Sequence, residues 1–181
     1  MKAKTLSNSE PLAPALAGLV ADLLLKKGWL LVTAESCTGG MISAACTDLA
    51  GSSTWFERGF VTYSNEAKTD MLGVDAALIA AHGAVSEEVA RAMAAGAIIR
   101  SRACVAVAVT GVAGPTGGSR AKPVGTVWFA FTVDGQPSSE LQRFGGDRAA
   151  VRAATVRHAL QRLVQLLTND PPTGTSTATR K

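Results

Sequence analysis

A short apolar run, Trp29-Leu30-Leu31-Val32, passes directly into Thr33-Ala34-Glu35-Ser36-Cys37-Thr38-Gly39-Gly40, where nearly every side chain is small. The run reads as the end of a buried strand, and residues from about Thr38 to Leu49 read as a helix leaving it. Small residues at such a bend let a ligand approach the backbone closely. A helix beginning near Cys37 or Thr38 would aim its first unpaired N–H groups, and the positive end of its dipole, at whatever sits over Ser36. Ser36 is therefore a candidate nucleophile, with helix capping as the alternative role for a serine here. Cys37 could compete with it, because a thiol at a helix N-terminus has a lowered pKa, although a buried or reduced thiol is the favoured reading for all three cysteines.

The surrounding pattern is that of one α/β domain. Leu16, Leu19, Val20, Leu23 and Leu24 recur at helical spacing between Pro14 and Gly28. Phe60 to Tyr63 reads as a strand, after which Ser64-Asn65 caps a short helix running through Lys68 to Leu72. Asp75 to Ala81 reads as a further short helix, and Ser86-Glu87-Glu88 opens a longer one towards Arg100. The valine-rich run Cys104 to Val109 suits a strand buried on both faces, and it leads into a second glycine-rich loop, Thr110 to Ser119. Val124 to Val133 and Ser139 to Phe144 pair about Asp134-Gly135, and Asp147 caps a helix from Arg148 to Leu167. The expected fold is a three-layer α/β sandwich with a mixed, mostly parallel sheet flanked by helices. Residues 1–10 are expected to be flexible, 11–167 to form the single domain, and 168–181, rich in Pro, Gly, Ser and Thr, to be a disordered tail.

Composition narrows the function. With 47% apolar and 18% charged residues and no apolar run near the roughly 20 residues that span a bilayer, a soluble cytoplasmic protein without a membrane partner is expected. The net charge of +4 is spread out, Arg148, Arg152, Arg157 and Arg162 standing at scattered angles, so small anions suit the chain better than nucleic acid. Three cysteines without a Cys-x-x-Cys pair, and two separated histidines, make a zinc site an unfavoured reading.

A serine hydroxyl needs a base at neutral pH. Lacking a nearby histidine, Ser36 could use a desolvated lysine, Lys68, or Tyr63 relaying through it. For these two the alternatives are a solvated helix charge and a core phenol. The spacing from Tyr63 to Lys68 is one residue longer than the Tyr-x-x-x-Lys of short-chain dehydrogenases, and no dinucleotide fingerprint accompanies it. Arg148 could reach a phosphate, although a charge at a helix start is most often solvated.

Several stretches resemble the CinA C-terminal domain, the nicotinamide mononucleotide deamidase family. They are Thr33 to Gly40, Gly51-Ser52-Ser53, Tyr63-Ser64-Asn65-Glu66-Ala67-Lys68, His82 to Glu87, Thr110 to Pro115, Lys122 to Val127 and Gly146-Asp147-Arg148, in that order from about Ala13 to Leu167. The resemblance implies a stand-alone amidohydrolase that converts nicotinamide mononucleotide to nicotinic acid mononucleotide and ammonia, with no metal or other cofactor, in pyridine nucleotide recycling. It implies Ser36 as nucleophile and Tyr63 and Lys68 as its activators. Backbone N–H groups near Thr38, Gly39 and Gly40 would hold the oxyanion. Ser52, Ser53, Asn65, Thr110, Gly111, Gly114 and Arg148 would bind substrate, and a homodimer is expected. The rival readings are a nucleotide-binding module without catalysis and an accessory role in DNA uptake.

Overall fold

Strand β3, Val105–Gly111, sends Val105, Val107 and Val109 to one face of the sheet and Ala106 and Ala108 to the other, all of them buried. That alternation organises a computed structural model that describes residues 12–169. The elements in order are α1 (Ala13–Lys27), β1 (Leu31–Glu35), α2 (Met41–Thr47), a 3-10 turn (Ser52–Thr54), β2 (Phe56–Val61), α3 (Asn65–Leu72), α4 (Ala76–His82), α5 (Glu87–Ile99), β3, β4 (Thr126–Val133), β5 (Gln136–Arg143) and α6 (Arg148–Asn169). The sheet runs β2-β1-β3-β4-β5, with β2, β1 and β3 parallel, β4 antiparallel to β3, and β5 antiparallel to β4. This is the mixed sheet of a three-layer sandwich.

Valine and phenylalanine side chains of the sheet mostly face α1, α2 and α6, whereas alanines, with Val32 among them, face α3, α4 and α5. At about 1.5–3 kcal/mol for each large apolar side chain buried, the first face supplies most of the apolar stabilisation. The second face instead permits close approach. Gly96 of α5 lies so near the Leu72 carbonyl of α3 that a Cβ there would collide with it.

Local chemistry accounts for the helix starts on that second face. Ser64, Asp75 and Ser86 each accept a hydrogen bond from an amide in the first turn of α3, α4 and α5. The β4–β5 hairpin turns on Asp134 and Gly135 alone, at φ of 46° and 77°, as a two-residue primed turn requires.

Several expected boundaries are corrected. Helix α2 begins at Met41, not near Cys37 or Thr38, because Gly39 and Gly40 take positive φ and keep the chain in a turn. Strand β2 ends at Val61 and starts four residues before Phe60; Glu57, Arg58 and Gly59 hid it, since an edge strand tolerates polar residues. Strand β5 begins at Gln136, earlier than Ser139. Helix α6 continues to Asn169, so residues 168 and 169 are helical where a tail was expected. The flexible 1–10 segment and the rest of the tail lie outside the described residues. Among the described residues no helix is long and apolar enough to cross a membrane.

Candidate active site

Three parallel strands end side by side, and their exits converge at the carboxyl edge of the sheet, where open α/β sheets bind ligands. Ser36 follows β1, Thr62 to Ser64 follow β2, and Thr110-Gly111 closes β3. The Ser36 amide donates to the Val109 carbonyl at 3.1 Å, so the start of the turn continues the ladder and is rigid. Ser36 is only 9% exposed.

Lys68, on the first turns of α3, folds back beneath the β2–α3 loop and is 1% exposed. Its Nζ lies 3.1 Å from Ser36 Oγ, 3.0 Å from the Thr62 carbonyl and 3.4 Å from the Ser64 carbonyl. Burial away from water holds its pKa below the ordinary 10.5, with the neighbouring Cys37 and Glu66 side chains opposing that shift. Three oxygens fit an ammonium with three N–H donors. They equally fit a neutral amine that gives two N–H bonds to carbonyls and offers its lone pair to the serine O–H. Proton exchange between Ser36 and Lys68 therefore needs no rearrangement of the amine's other contacts.

Cys37 is not a competing thiolate. Burial pushes its thiol up to about 11, outweighing the nearby positive charges of Arg152 and Lys68. The expected lowering at a helix start is overturned, because α2 begins four residues later and its end is already occupied. The Glu35 carboxylate takes the amides of Gly40, Ile42 and Ser43 at 3.1, 2.9 and 2.8 Å, and the Ser43 hydroxyl at 2.7 Å. Gly39 N–H turns back to the Ser36 carbonyl at 3.0 Å. The amides of Gly39 and Gly40, assigned to the oxyanion from sequence, thus already have partners, and Thr38 is buried with its carbonyl held by Arg152.

Ser36 and Lys68 share a cleft of about 220 Å3 with Tyr63, Asn65, Thr110 and Arg148. Tyr63 makes no hydrogen bond to Ser36: the residue is 58% exposed and its hydroxyl accepts from Arg148 Nη2 at 2.6 Å, while Arg148 Nη1 donates to the Gly114 carbonyl at 3.0 Å. Thr110 ties the back wall by donating to the Ala84 carbonyl at 2.7 Å. Gly111 admits no Cβ, which would fall 2.7 Å from a Val127 methyl. Beyond Arg148 the cleft adjoins a basin of about 650 Å3 lined by Ala113, Val124, Arg148 and Arg152. The cleft alone is smaller than the roughly 300–1,000 Å3 of ligand pockets; joined to the basin it falls within that range.

Ser52 and Ser53 are placed elsewhere. Their turn precedes β2, and β2 runs parallel to β1 with Phe56 opposite Leu31, so they sit at the amino edge, a whole strand length from Ser36. At roughly 3.3 Å per residue that separation excludes contact with a ligand on Ser36. Two residues were not singled out from sequence. Glu35 was detectable as a lone acid ending an apolar strand. Arg152 was detectable from its spacing to Arg148, since residues four apart share a helix face and are not at scattered angles. Among the described residues no three His, Cys, Asp or Glu side chains converge to hold a metal.

The model of the CinA C-terminal domain matches residues 13–167, every element that builds this cleft. The chain belongs to the CinA C-terminal domain family. It is 55% identical over 147 residues, 81% of this chain and 89% of the other, to the Escherichia coli (strain K12) protein named nicotinamide-nucleotide amidohydrolase PncC. It is 57% identical over 136 residues, 75% of this chain and 85% of the other, to the Pseudomonas putida protein of the same name. The crystal structure of competence damage-inducible protein A (ComA) from Klebsiella pneumoniae superposes with a TM-score of 0.85 at 42% identity, covering 88% of this chain and 99% of that one.

Proposed function

We propose that this member of the family hydrolyses the carboxamide of nicotinamide mononucleotide to the nicotinic acid nucleotide and ammonia, with Ser36 as nucleophile and Lys68 as its base. The observation that carries the reading is the buried contact between Lys68 Nζ and Ser36 Oγ. The amidohydrolase names of the E. coli and P. putida relatives supply the substrate.

An amide carbonyl is a weak electrophile, so the hydroxyl must lose its proton as it attacks. Neutral Lys68 takes that proton, and Ser36 Oγ bonds to the carboxamide carbon, giving a tetrahedral oxyanion. The Lys68 ammonium then returns the proton to the leaving nitrogen, ammonia departs, and an ester on Ser36 remains. Water enters where ammonia left, gives a proton to Lys68 and bonds through its oxygen to the acyl carbon; Lys68 then returns that proton to the departing Ser36 Oγ, and the product leaves as an acid that ionises to the carboxylate. Arg148 and Tyr63 stand at the mouth, where they recognise the sugar phosphate and do not touch the proton path. The setting we assign is pyridine nucleotide recycling in the cytoplasm, with the chain as a homodimer.

The test is ammonia release from nicotinamide mononucleotide. Wild type turns over, and Ser36→Ala loses turnover while keeping its circular dichroism and melting temperature. Tight nucleotide binding by wild type with no ammonia would leave a binding module in place of an enzyme.

A further inference from the structure

Arg152 stands one helical turn beyond Arg148 on α6, and its guanidinium grips the back of the Ser36 turn. Nε donates to the Cys37 carbonyl at 3.1 Å and Nη2 to the Thr38 carbonyl at 2.8 Å. Nη2 also lies 3.5 Å from where a Cβ on Gly39 would stand, so the bend is packed against it. Among the described residues no carboxylate pairs with this half-buried cation. Its charge is shared only with backbone carbonyls.

A trans peptide carries its C=O and N–H on opposite sides. Holding the Cys37 carbonyl therefore directs the Thr38 N–H away from α6, and holding the Thr38 carbonyl does the same for the Gly39 N–H, which reaches the Ser36 carbonyl. From the other flank Glu35 gathers the amides at the start of α2. Ser36 sits between the two grips. The Arg152 charge is also felt at the neighbouring thiol, where it favours the anion even though burial outweighs it.

We infer that Arg152 is a positioning residue for the chemistry at Ser36: it fixes the backbone of the turn just after Ser36 and holds a positive charge against that turn. The inference rests on the amidohydrolase reading of Ser36. A competing role, gripping the substrate's anionic group in the adjoining basin, is disfavoured because two of the guanidinium's nitrogens are already spent on carbonyls.

The experiment follows ammonia release and, separately, the rate at which a fluorophosphonate labels Ser36, in wild type, Arg152→Lys and Arg152→Ala. Lysine keeps the charge but cannot hold two carbonyls with one planar fork. Both variants are expected to lose about 10²-fold in kcat, the scale of a 1 Å misplacement. KM is expected to stay within about threefold, marking an interaction made mainly in the transition state. Labelling should slow in parallel, and added guanidinium should restore part of both rates to Arg152→Ala. A raised KM with unchanged kcat would make Arg152 a substrate ligand and overturn the inference, as would wild-type rates in Arg152→Lys or failure of both variants to fold. Wild type that labels at Ser36 but releases no ammonia would sink the substrate reading alone, leaving the labelling rates to decide on Arg152. Wild type that does not label at Ser36 has no activated serine to position, and ends the inference.

Discussion

Lys68 is an amine with 1% exposure surrounded by three oxygens and held below its ordinary pKa by burial. Both catalysis and stability should carry its signature. In the base role proposed above it would act neutral, so kcat/KM should rise with pH through the lowered pKa and fall below it. Stability moves in the same direction for a different reason. Between the lowered native value and the ordinary 10.5 of an unfolded lysine, the unfolded chain binds more protons than the native one, so stability rises with pH across that window. Lys68→Met is expected to lose about 10²–10⁴ in kcat and to lose that alkaline gain in stability. Urea unfolding at a series of pH values checks it; an unchanged pH slope in the variant would show that the amine is not desolvated. Ser36 and Lys68 were legible in the sequence because a reactive serine needs a base and no histidine was near. Which of Tyr63 and Lys68 touches the serine was not legible, since it depends on how α3 folds back under its own preceding loop.

At the scale of elements, α2 shows how a short helix can be anchored from outside itself. Seven residues cannot sustain a helix alone, and the residue before α2, Gly40, has no side chain to cap it. Glu35 supplies four hydrogen bonds from the end of the preceding strand. Glu35→Gln keeps the shape but turns an NH2 group towards amide donors, and should destabilise the fold by about 2–4 kcal/mol, given the strength of hydrogen bonds to charged acceptors. Chemical denaturation that shows no loss would mean the carboxylate is dispensable. This arrangement also explains an error of boundary. The capping residue lies six positions before Met41, outside the short window in which sequence signals for helix starts are sought, so the glycines at positive φ were read as helix. Helices α3, α4 and α5, capped by the residue just before them, were legible to within a residue or two.

For the whole molecule, the division of the sheet into a valine face and an alanine face determines how firmly Lys68 is placed. Helix α3 carries Lys68 and Leu72 one turn apart, and it rests on α5 at Gly96, where there is no space for a methyl group. Gly96→Ala should therefore push α3 off the sheet. We expect about 1–3 kcal/mol of destabilisation from the overpacking, with kcat falling further than stability predicts because Nζ moves relative to Ser36. Comparison of melting temperature with kcat separates the two effects, and a variant with normal kcat would show that α5 yields instead. The mixed, mostly parallel sheet followed from alternating elements in the sequence, whereas the strand order β2-β1-β3-β4-β5 came only from the structure. The remoteness of Ser52 and Ser53 did not, because which end of a strand a loop occupies emerges only when the strands are laid side by side.

The clamp on the turn after Ser36 joins residues 115 and 114 positions apart in the chain. During synthesis the serine is therefore made long before the helix that steadies it, and a growing chain that has released α1 to β3 from the ribosome still lacks the arginine. On the amidohydrolase reading proposed above, Ser36 gains this support only after α6 has been made, so the serine of an unfinished copy would lack it.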